Sequence, residues 1–376
     1  MIKKYKLHNF KNHAETVLNL SNVTLLTGQN GAGKSSIIQS MLLMHDTYRE
    51  THQLATLYLK GDSFSLGRTI DALNANCKDE PDLLKIEIET DGGETFRFAY
   101  QYLLPEGNSI KTNSPMSYHE DELKKIAFLT DDFQYLSAFR DGPQSVYESD
   151  TDVVDVHRQV SHRQGRGEMV VYFLNKYGGM SLIIDELCHH DTLSHTLREQ
   201  ATAWLGEIAP GVQMKINQND TQYELKFGFA MPGMTTRYYS AQNTGFGITY
   251  VLSVIVAILS AKPGAMILIE NPEAHIHPAG QSALMRLIAK AAKAGVQFLI
   301  ETHSDHILNG ALVARKLGMI EEGMLTTYFF KHGSDGNSEA VSLQVGEDGR
   351  ITNAPDDFFG QMNADLEVLF DLTSIE

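Results

Sequence analysis

The chain opens on an alternation of apolar and polar positions with the period of two that strands require. Ile2 to Leu7 alternates as an edge strand, Asn9-Phe10-Lys11-Asn12 makes a turn, and Val17-Leu18-Asn19-Leu20 forms a second strand. Val23-Thr24-Leu25-Leu26 is β-branched and apolar, the pattern of a buried strand. From Ser36 to Leu43 the spacing becomes helical. Residues 49 to 80 read as loop-rich and partly helical. Leu83 to Glu89 alternates, Asp91-Gly92-Gly93 breaks the run, and Thr95 to Tyr100 resumes it, which is a hairpin signal. Leu104 to Tyr118 is rich in turn formers and reads as a loop. Phe133 to Phe139 runs from a strand into a turn at Gly142-Pro143.

The second half alternates helix and strand. Thr196 to Ile208 reads as a helix stopped by Pro210-Gly211, and Val212 to Phe229 as a hairpin split near Asn219-Asp220. Ile248 to Ser260 is an apolar helix, and Met266 to Ile269 a buried strand ending in Glu270. Ala279 to Ala294 is a helix with Gly295 as its stop, followed by the buried strand Val296 to Ile300. Ser181 to Glu186 superficially looks like another strand ending in acid. It is short, lacks a proline turn, and is set aside. No heptad runs through residues 144–235, so a long coiled-coil arm is not expected. The pattern predicts an α/β protein, a mixed sheet with flanking helices and an antiparallel β subdomain.

Composition changes this picture little. The 376 residues are 42% hydrophobic and 21% charged, as in an ordinary globular protein of one large or two modest domains. The net charge of −16 argues against a broadly basic nucleic-acid surface. A basic island, His157, Arg158, His162, Arg163 and Arg166, remains a partner-contact candidate. Two cysteines make no disulfide framework, and no segment has the pattern of a signal peptide or membrane span. A cytoplasmic protein without a membrane partner is expected.

The candidate chemistry centres on Gly28-Gln29-Asn30-Gly31-Ala32-Gly33-Lys34-Ser35, the G-x-x-x-x-G-K-S phosphate-binding loop between strand and helix. Backbone N–H groups of Asn30, Gly31, Ala32, Gly33 and Ser36 are suited to phosphate oxygens. Lys34 suits the β- and γ-phosphates of ATP, and the Ser35 hydroxyl suits Mg²⁺. Lys11 and Asn12 either turn back towards the nucleotide or are solvated. Glu270, at the end of an apolar strand, has the Walker B placement of a carboxylate for the Mg²⁺ water shell. Glu301-Thr302-His303-Ser304 falls at the C-terminal end of another strand, where ligand-contacting residues gather in parallel sheets. Arg140 and Gln134 are read as a salt bridge and a polar surface residue before a nucleotide or Mg²⁺ contact.

These stretches, together with Phe10-Lys11-Asn12, Asn243-Thr244-Gly245-Phe246-Gly247, Glu270 to Pro278 and Glu301 to His306, resemble the ABC-class ATPase heads of SMC-like, RecF-like and OLD-family proteins. The chain is most similar to stand-alone bacterial AAA-type ATPases of that class, several of which serve in antiphage defence. The tail from Pro355 to Phe359 resembles them too, and the middle region carries little of the likeness. The resemblance implies a P-loop fold of ABC type in which two heads sandwich two nucleotides. Residues 1–143 then form the first part of the head, 144–235 an insertion or lid, 236–340 the second part, and 341–376 a tail for partner contact. It implies that Asn243, Gly245, Phe246 and Gly247 act in trans as the signature, and that His303 is the switch histidine. It also implies a homodimer or higher even oligomer controlling a separate effector, a nuclease or toxin. The sequence departs from the family at Gly245, where a serine is usual, and at Glu270-Asn271, where Asp-Glu is usual. Asn271 cannot accept a proton, which leaves Glu273 as the substitute base and implies slow hydrolysis.

Two other readings stand beside this one. A repair or recombination ATPase of RecF or SMC type would bind nucleic acid. A metal-dependent hydrolase would use His275, His277, His303 and His306 with Asp305 and Glu273. His189-His190-Asp191 and His195 read as exposed helix residues, not ligands.

Overall fold

A computed structural model describes residues 1–102, 106–112, 118–162, 164–231, 233–355 and 358. The chain opens with β1 (Ile2–Phe10), β2 (His13–Asn19), β3 (Val23–Gly28) and α1 (Lys34–Thr51). Then come β4 (Thr56–Tyr58), α2 (Thr69–Ala72), β5 (Leu83–Thr90), β6 (Thr95–Gln101), β7 (Ser109–Thr112), α3 (Glu120–Leu123) and β8 (Phe133–Leu136). The middle holds α4 (Val170–Tyr177), α5 (Leu197–Gly206), β9 (Val212–Asn219), β10 (Gln222–Met231), β11 (Met234–Thr235) and β12 (Tyr239–Ser240). The last part is α6 (Phe246–Leu259), β13 (Met266–Glu270), α7 (Pro278–Lys293), β14 (Gln297–Glu301), α8 (Asp305–Lys316), β15 (Leu325–His332) and β16 (Ser338–Leu343).

The site is built on a mixed sheet in the order β16-β15-β3-β14-β13-β8, parallel except at β16. Its central strands are apolar throughout because both faces are covered. Met266, Leu268 and Leu299 point into one core with Ile37, Ile38, Met41 and Leu42 of α1. Ile267, Ile269, Phe298 and Ile300 point into the other, shared with α6, α7 and α8. The first core is closed by an antiparallel sheet, β2-β1-β5-β6-β7-β4. A third, small sheet joins β9 to β12.

Several expectations need correcting. β1 is no edge strand: Tyr5 pairs with Leu18 on one side and Ile88 on the other. It runs on to Phe10, leaving Lys11 and Asn12 as a two-residue turn with Phe10 opposite His13. β4 and β7 are short strands within stretches read as loops. α4, α5, β9 and β10 share a core with α6, eleven of whose residues are buried. The stretch Ser181 to Glu186 lies outside the mixed sheet, where Ser181 makes an isolated bridge to Thr196. His189, His190, Asp191 and His195 precede α5 in an irregular segment, and His189 is buried. Among the described residues no helix exceeds the 18 residues of α1, and none is long and apolar enough to cross a membrane. Arg163 and most of the tail expected to contact a partner lie outside the described residues.

Candidate active site

The phosphate loop leaves β3 at Gly28, whose φ of 120° suits glycine. A Cβ there would stand 2.1 Å from the Phe330 carbonyl of β15, so neighbouring backbone also forbids one. Distant elements hold the loop's carbonyls. The His332 ring donates to the Asn30 carbonyl (3.3 Å), Asn12 Nδ2 to that of Gly31 (2.8 Å) and the Ser338 hydroxyl to that of Ala32 (2.5 Å). The Gly33 carbonyl accepts from His13 Nε2 (2.9 Å) and from the first turn of α1. In a trans peptide the N–H points opposite to the carbonyl. The amides that follow the Asn30, Ala32 and Gly33 carbonyls therefore point away from His332, Ser338 and His13, whereas the Ala32 amide donates to the Gln29 carbonyl (3.4 Å).

That cavity, of about 270 Å³, is lined by Lys11, Asn12, Asn30, Gly31, Gly33, Lys34, Ser35, Ser36, Glu301 and His303. Residues more than 250 positions apart thus meet in one site. The Lys34 ammonium is bound by the carbonyls of Gly28 (3.0 Å) and Gln29 (2.7 Å), and burial lowers its pKa. Lys11 leans on Gln39 Oε1 at 2.5 Å, and its pKa is lowered by burial too. The His303 pKa is depressed by burial and then by the Lys34 charge, which keeps the ring neutral near pH 7.

The carboxylate beside the Ser35 hydroxyl is that of Glu301. Ser35 Oγ donates to Glu301 Oε1 at 2.9 Å. The other oxygen of Glu301 is buried without a hydrogen-bond partner. Burial, reinforced by the neighbouring Glu270 carboxylate, lifts the Glu301 pKa to about 7. Glu270 itself accepts from Tyr135 Oη and the Ala138 amide, both at 3.3 Å, and burial raises its pKa. It faces the β8 side and is not among the cavity's lining residues. Glu273 accepts from the Thr302 hydroxyl (2.8 Å) and the His303 amide (2.9 Å), which fixes the histidine's backbone. Asn271 sits at φ 45°, a left-handed conformation that asparagine tolerates better than glutamate. Its amide N–H donates to the Glu301 carbonyl (2.8 Å), and its side-chain Oδ1 is buried without a partner.

Asn243, Gly245 and Phe246 stand outside this cavity at the start of α6, all exposed. Gly247 is buttressed: a Cβ would stand 2.1 Å from the His275 carbonyl. Arg140 makes neither a surface salt bridge nor a cavity contact. It is buried and donates to the carbonyls of Ser137, Glu270 and Asn271, each at 2.7 Å, bracing the turn after β13. Gln134 is also buried; it donates to the Arg158 carbonyl and accepts from the Val160 amide.

The metal-hydrolase alternative fails on geometry. His277 accepts from Ala279 N to cap α7, and the His275 ring packs against Tyr250. Groups with three metal-type donor atoms within 4.8 Å occur among the described residues only at Asp185, Cys188 and His195 and at His189, His190 and Asp191. The basic island is mostly spent internally. His157 faces Asp131 (2.8 Å), His162 faces Asp62 (3.5 Å), Arg166 pairs with Asp141 (2.5 Å), and Arg158 stacks on Tyr177.

The sequence places Glu301 at a ligand-contacting strand end without a specific task, and gives His13, His332 and Ser338 no role. Glu301 carries a readable signal, an acid ending the buried strand beside the phosphate-loop strand. The other three carry none.

Two family profiles match the two halves of this site. Residues 1–164 match the family described as "AAA ATPase domain", and residues 194–309 the one described as "AAA domain, putative AbiEii toxin, Type IV TA system". Solved SMC heads share the fold. One, an SMC head bound to the C-terminal winged-helix domain of ScpA, superposes with a TM-score of 0.55 at 15% identity over 91% of this chain and 98% of its own. The chain carries AAA ATPase domains on an SMC-head-like α/β fold. A second likeness to this ATPase is an SMC head with an extended coiled coil, bound to the C-terminal domain of ScpA derived from Pyrococcus furiosus. It has a TM-score of 0.51 at 14% identity over 99% of both chains. Residues 322–369 of the ATPase match a family described as a protein of unknown function. No curated protein matches the ATPase sequence closely enough to count as a relative.

Proposed function

We propose that this ATPase binds ATP with Mg²⁺ in the phosphate-loop cavity, closes as a homodimer around two nucleotides, and through that closure controls a separate effector. The observation that carries this reading is the division of the site. Lys34, Ser35 and His303 meet in one cavity, whereas Asn243, Gly245 and Phe246 are exposed outside it at a helix N-terminus, with open space at Gly245 and the Phe246 ring tilted against His275. A helix N-terminus offers unpaired N–H groups and a positive dipole end to an anion. The γ-phosphate held by a second copy is such an anion. Phe246, 59% exposed, and Phe139, 81% exposed, supply apolar surface for the same contact.

Within each half-site the loop amides and Lys34 hold the phosphates, Lys11 and Asn12 form the outer wall, and His303 reaches the γ-phosphate end. The donors facing the Ser35 hydroxyl are oxygens, as a hard cation requires. Mg²⁺ held beside Ser35 would neutralise phosphate charge. Hydrolysis is slow because Asn271 cannot take a proton and both Glu273 oxygens are engaged by Thr302 and His303. ATP then acts chiefly by holding the closed state, a shift in population.

The description of the second family profile, a putative toxin of a type IV toxin–antitoxin system, supports a defence setting. The internal pairing of the basic island speaks against a DNA-repair role. The decisive measurement is oligomeric mass by light scattering, with and without Mg-ATP. Wild type is expected to shift to dimer, Lys34→Ala to bind no nucleotide, and Gly245→Arg to bind nucleotide but stay monomeric. Full dimerisation of the Gly245→Arg variant would sink the sandwich.

A further inference from the structure

We propose that Glu301, at the end of β14, is the carboxylate that completes the cation site with Ser35, a task expected of Glu270. The inference rests on nucleotide binding at this cavity and assigns a residue within it.

Three observations converge. First, Glu301 reaches the P-loop serine: its Oε1 accepts from Ser35 Oγ at 2.9 Å, and it lines the cavity. Second, its Oε2 is buried with no hydrogen-bond partner. A buried carboxylate oxygen without a donor is costly unless a ligand satisfies it. Third, the sheet order decides which acid is nearer. β14 lies directly beside β3, while β13 is one strand further out. Strands are spaced about 4.8 Å apart, so the end of β13 starts roughly 10 Å from the phosphate-loop strand. Glu270 is moreover held towards β8 by Tyr135 and Ala138.

The backbone fixes Glu301 in this position. Its residue pairs with Leu26 of β3 and Glu270 of β13, and its carbonyl accepts from the Asn271 amide. The carboxylate is therefore presented by a rigid strand end rather than by a loop. This arrangement also bears on the departure at Asn271. Two carboxylates, Glu270 and Glu301, stand on neighbouring strand ends, and the one nearest the serine ends β14, the strand directly beside β3.

The test uses the full chain and a fluorescent ATP analogue, titrated in EDTA and again in Mg²⁺, with Mn²⁺ binding followed by electron paramagnetic resonance in the presence of nucleotide. Glu301→Gln, nearly isosteric, is expected to bind nucleotide in EDTA at least as well as wild type. It should lose the enhancement by Mg²⁺ and weaken Mn²⁺ binding by about tenfold or more, in the range metal-site mutations produce. Glu270→Gln is expected to keep most of both. In a cycle with Ser35→Ala, the double variant should bind Mn²⁺ no more weakly than the worse single variant. The assignment is overturned if Glu301→Gln keeps the wild-type Mg²⁺ enhancement, or if Glu270→Gln alone abolishes it. Failure of wild type to bind the analogue at all would overturn the nucleotide reading instead. Circular dichroism of each variant separates misfolding from loss of the site, and a misfolded Glu301→Gln is replaced by Glu301→Ala in the same titrations.

Discussion

A buried histidine shows how much of this molecule is set by single side chains that no motif announces. His13 bonds the Gly33 carbonyl through Nε2 and Thr16 Oγ1 through Nδ1. A carbonyl can only accept, so Nε2 carries the proton, and the neutral ring's Nδ1 accepts from threonine. Burial pushes the pKa of His13 to about 4, and does the same to His45, whose Nδ1 donates to the Phe128 carbonyl. A folded pKa below the unfolded value of about 6.5 means that the unfolded chain binds the proton first. Each ring thus contributes stability that is full above pH 6.5 and is lost as pH falls towards 4, on the order of 3 kcal/mol at most. Asp46, raised to about 6 by burial, and Glu301 pull the other way, so the informative quantity is a difference. Relative to wild type, His45→Asn should gain stability steadily between pH 7 and pH 5. Urea midpoints at several pH values check this, and a constant difference would show that the ring's burial does not set its titration. Such residues were illegible beforehand because burial and pairing are tertiary facts. The glycines and lysine of the phosphate loop were legible because their chemistry is local to eight residues. His332 and Ser338, about 300 positions away, support the same loop without any pattern of their own.

At the scale of elements, legibility follows burial on both faces. β3, β13, β14 and α6 are apolar runs because two layers cover them, and their positions were readable to within a few residues. β4 and β7, three and four residues long at or near a sheet edge, bury little and left no such mark. The start of α6 combines both cases. Gly245 has nothing of its own chain within 4 Å of where a Cβ would stand, while at Gly247 a Cβ would stand 2.1 Å from the His275 carbonyl. The two glycines of one motif therefore have different reasons to be glycine. Gly247→Ala should lower stability by roughly 1–3 kcal/mol, the usual cost of overpacking, and disturb the turn after β13. Gly245→Ala should leave the monomer's melting temperature within about a degree of wild type, since exposed sites rarely change stability by more than about 0.5 kcal/mol. Thermal unfolding of both variants without nucleotide tests this. Equal destabilisation would mean that Gly245 too is held by its own chain.

At the scale of the molecule, charge decides what closure has to overcome. Each chain carries a net charge of −16, and the basic residues between His157 and Arg166 largely face partners of their own. Two such heads repel, and the nucleotides between them add negative charge. Salt screens that repulsion, with a Debye length falling from about 30 Å at 0.01 M to about 8 Å at 0.15 M. The contacts proposed to close the dimer are short-ranged: the N–H groups at the start of α6 against a phosphate, and the exposed Phe246 and Phe139 rings. These are weakened little by moderate salt. ATP-dependent dimerisation should therefore strengthen from about 0.01 M to about 0.15 M salt, the reverse of the behaviour of a protein whose assembly depends on a polyanion. Sedimentation at fixed Mg-ATP across that range gives the dimer fraction directly. A dimer that weakens steadily with salt would mean that opposite charges hold the heads together, and the basic island would then have to be freed from Asp131, Asp62 and Asp141 to supply them.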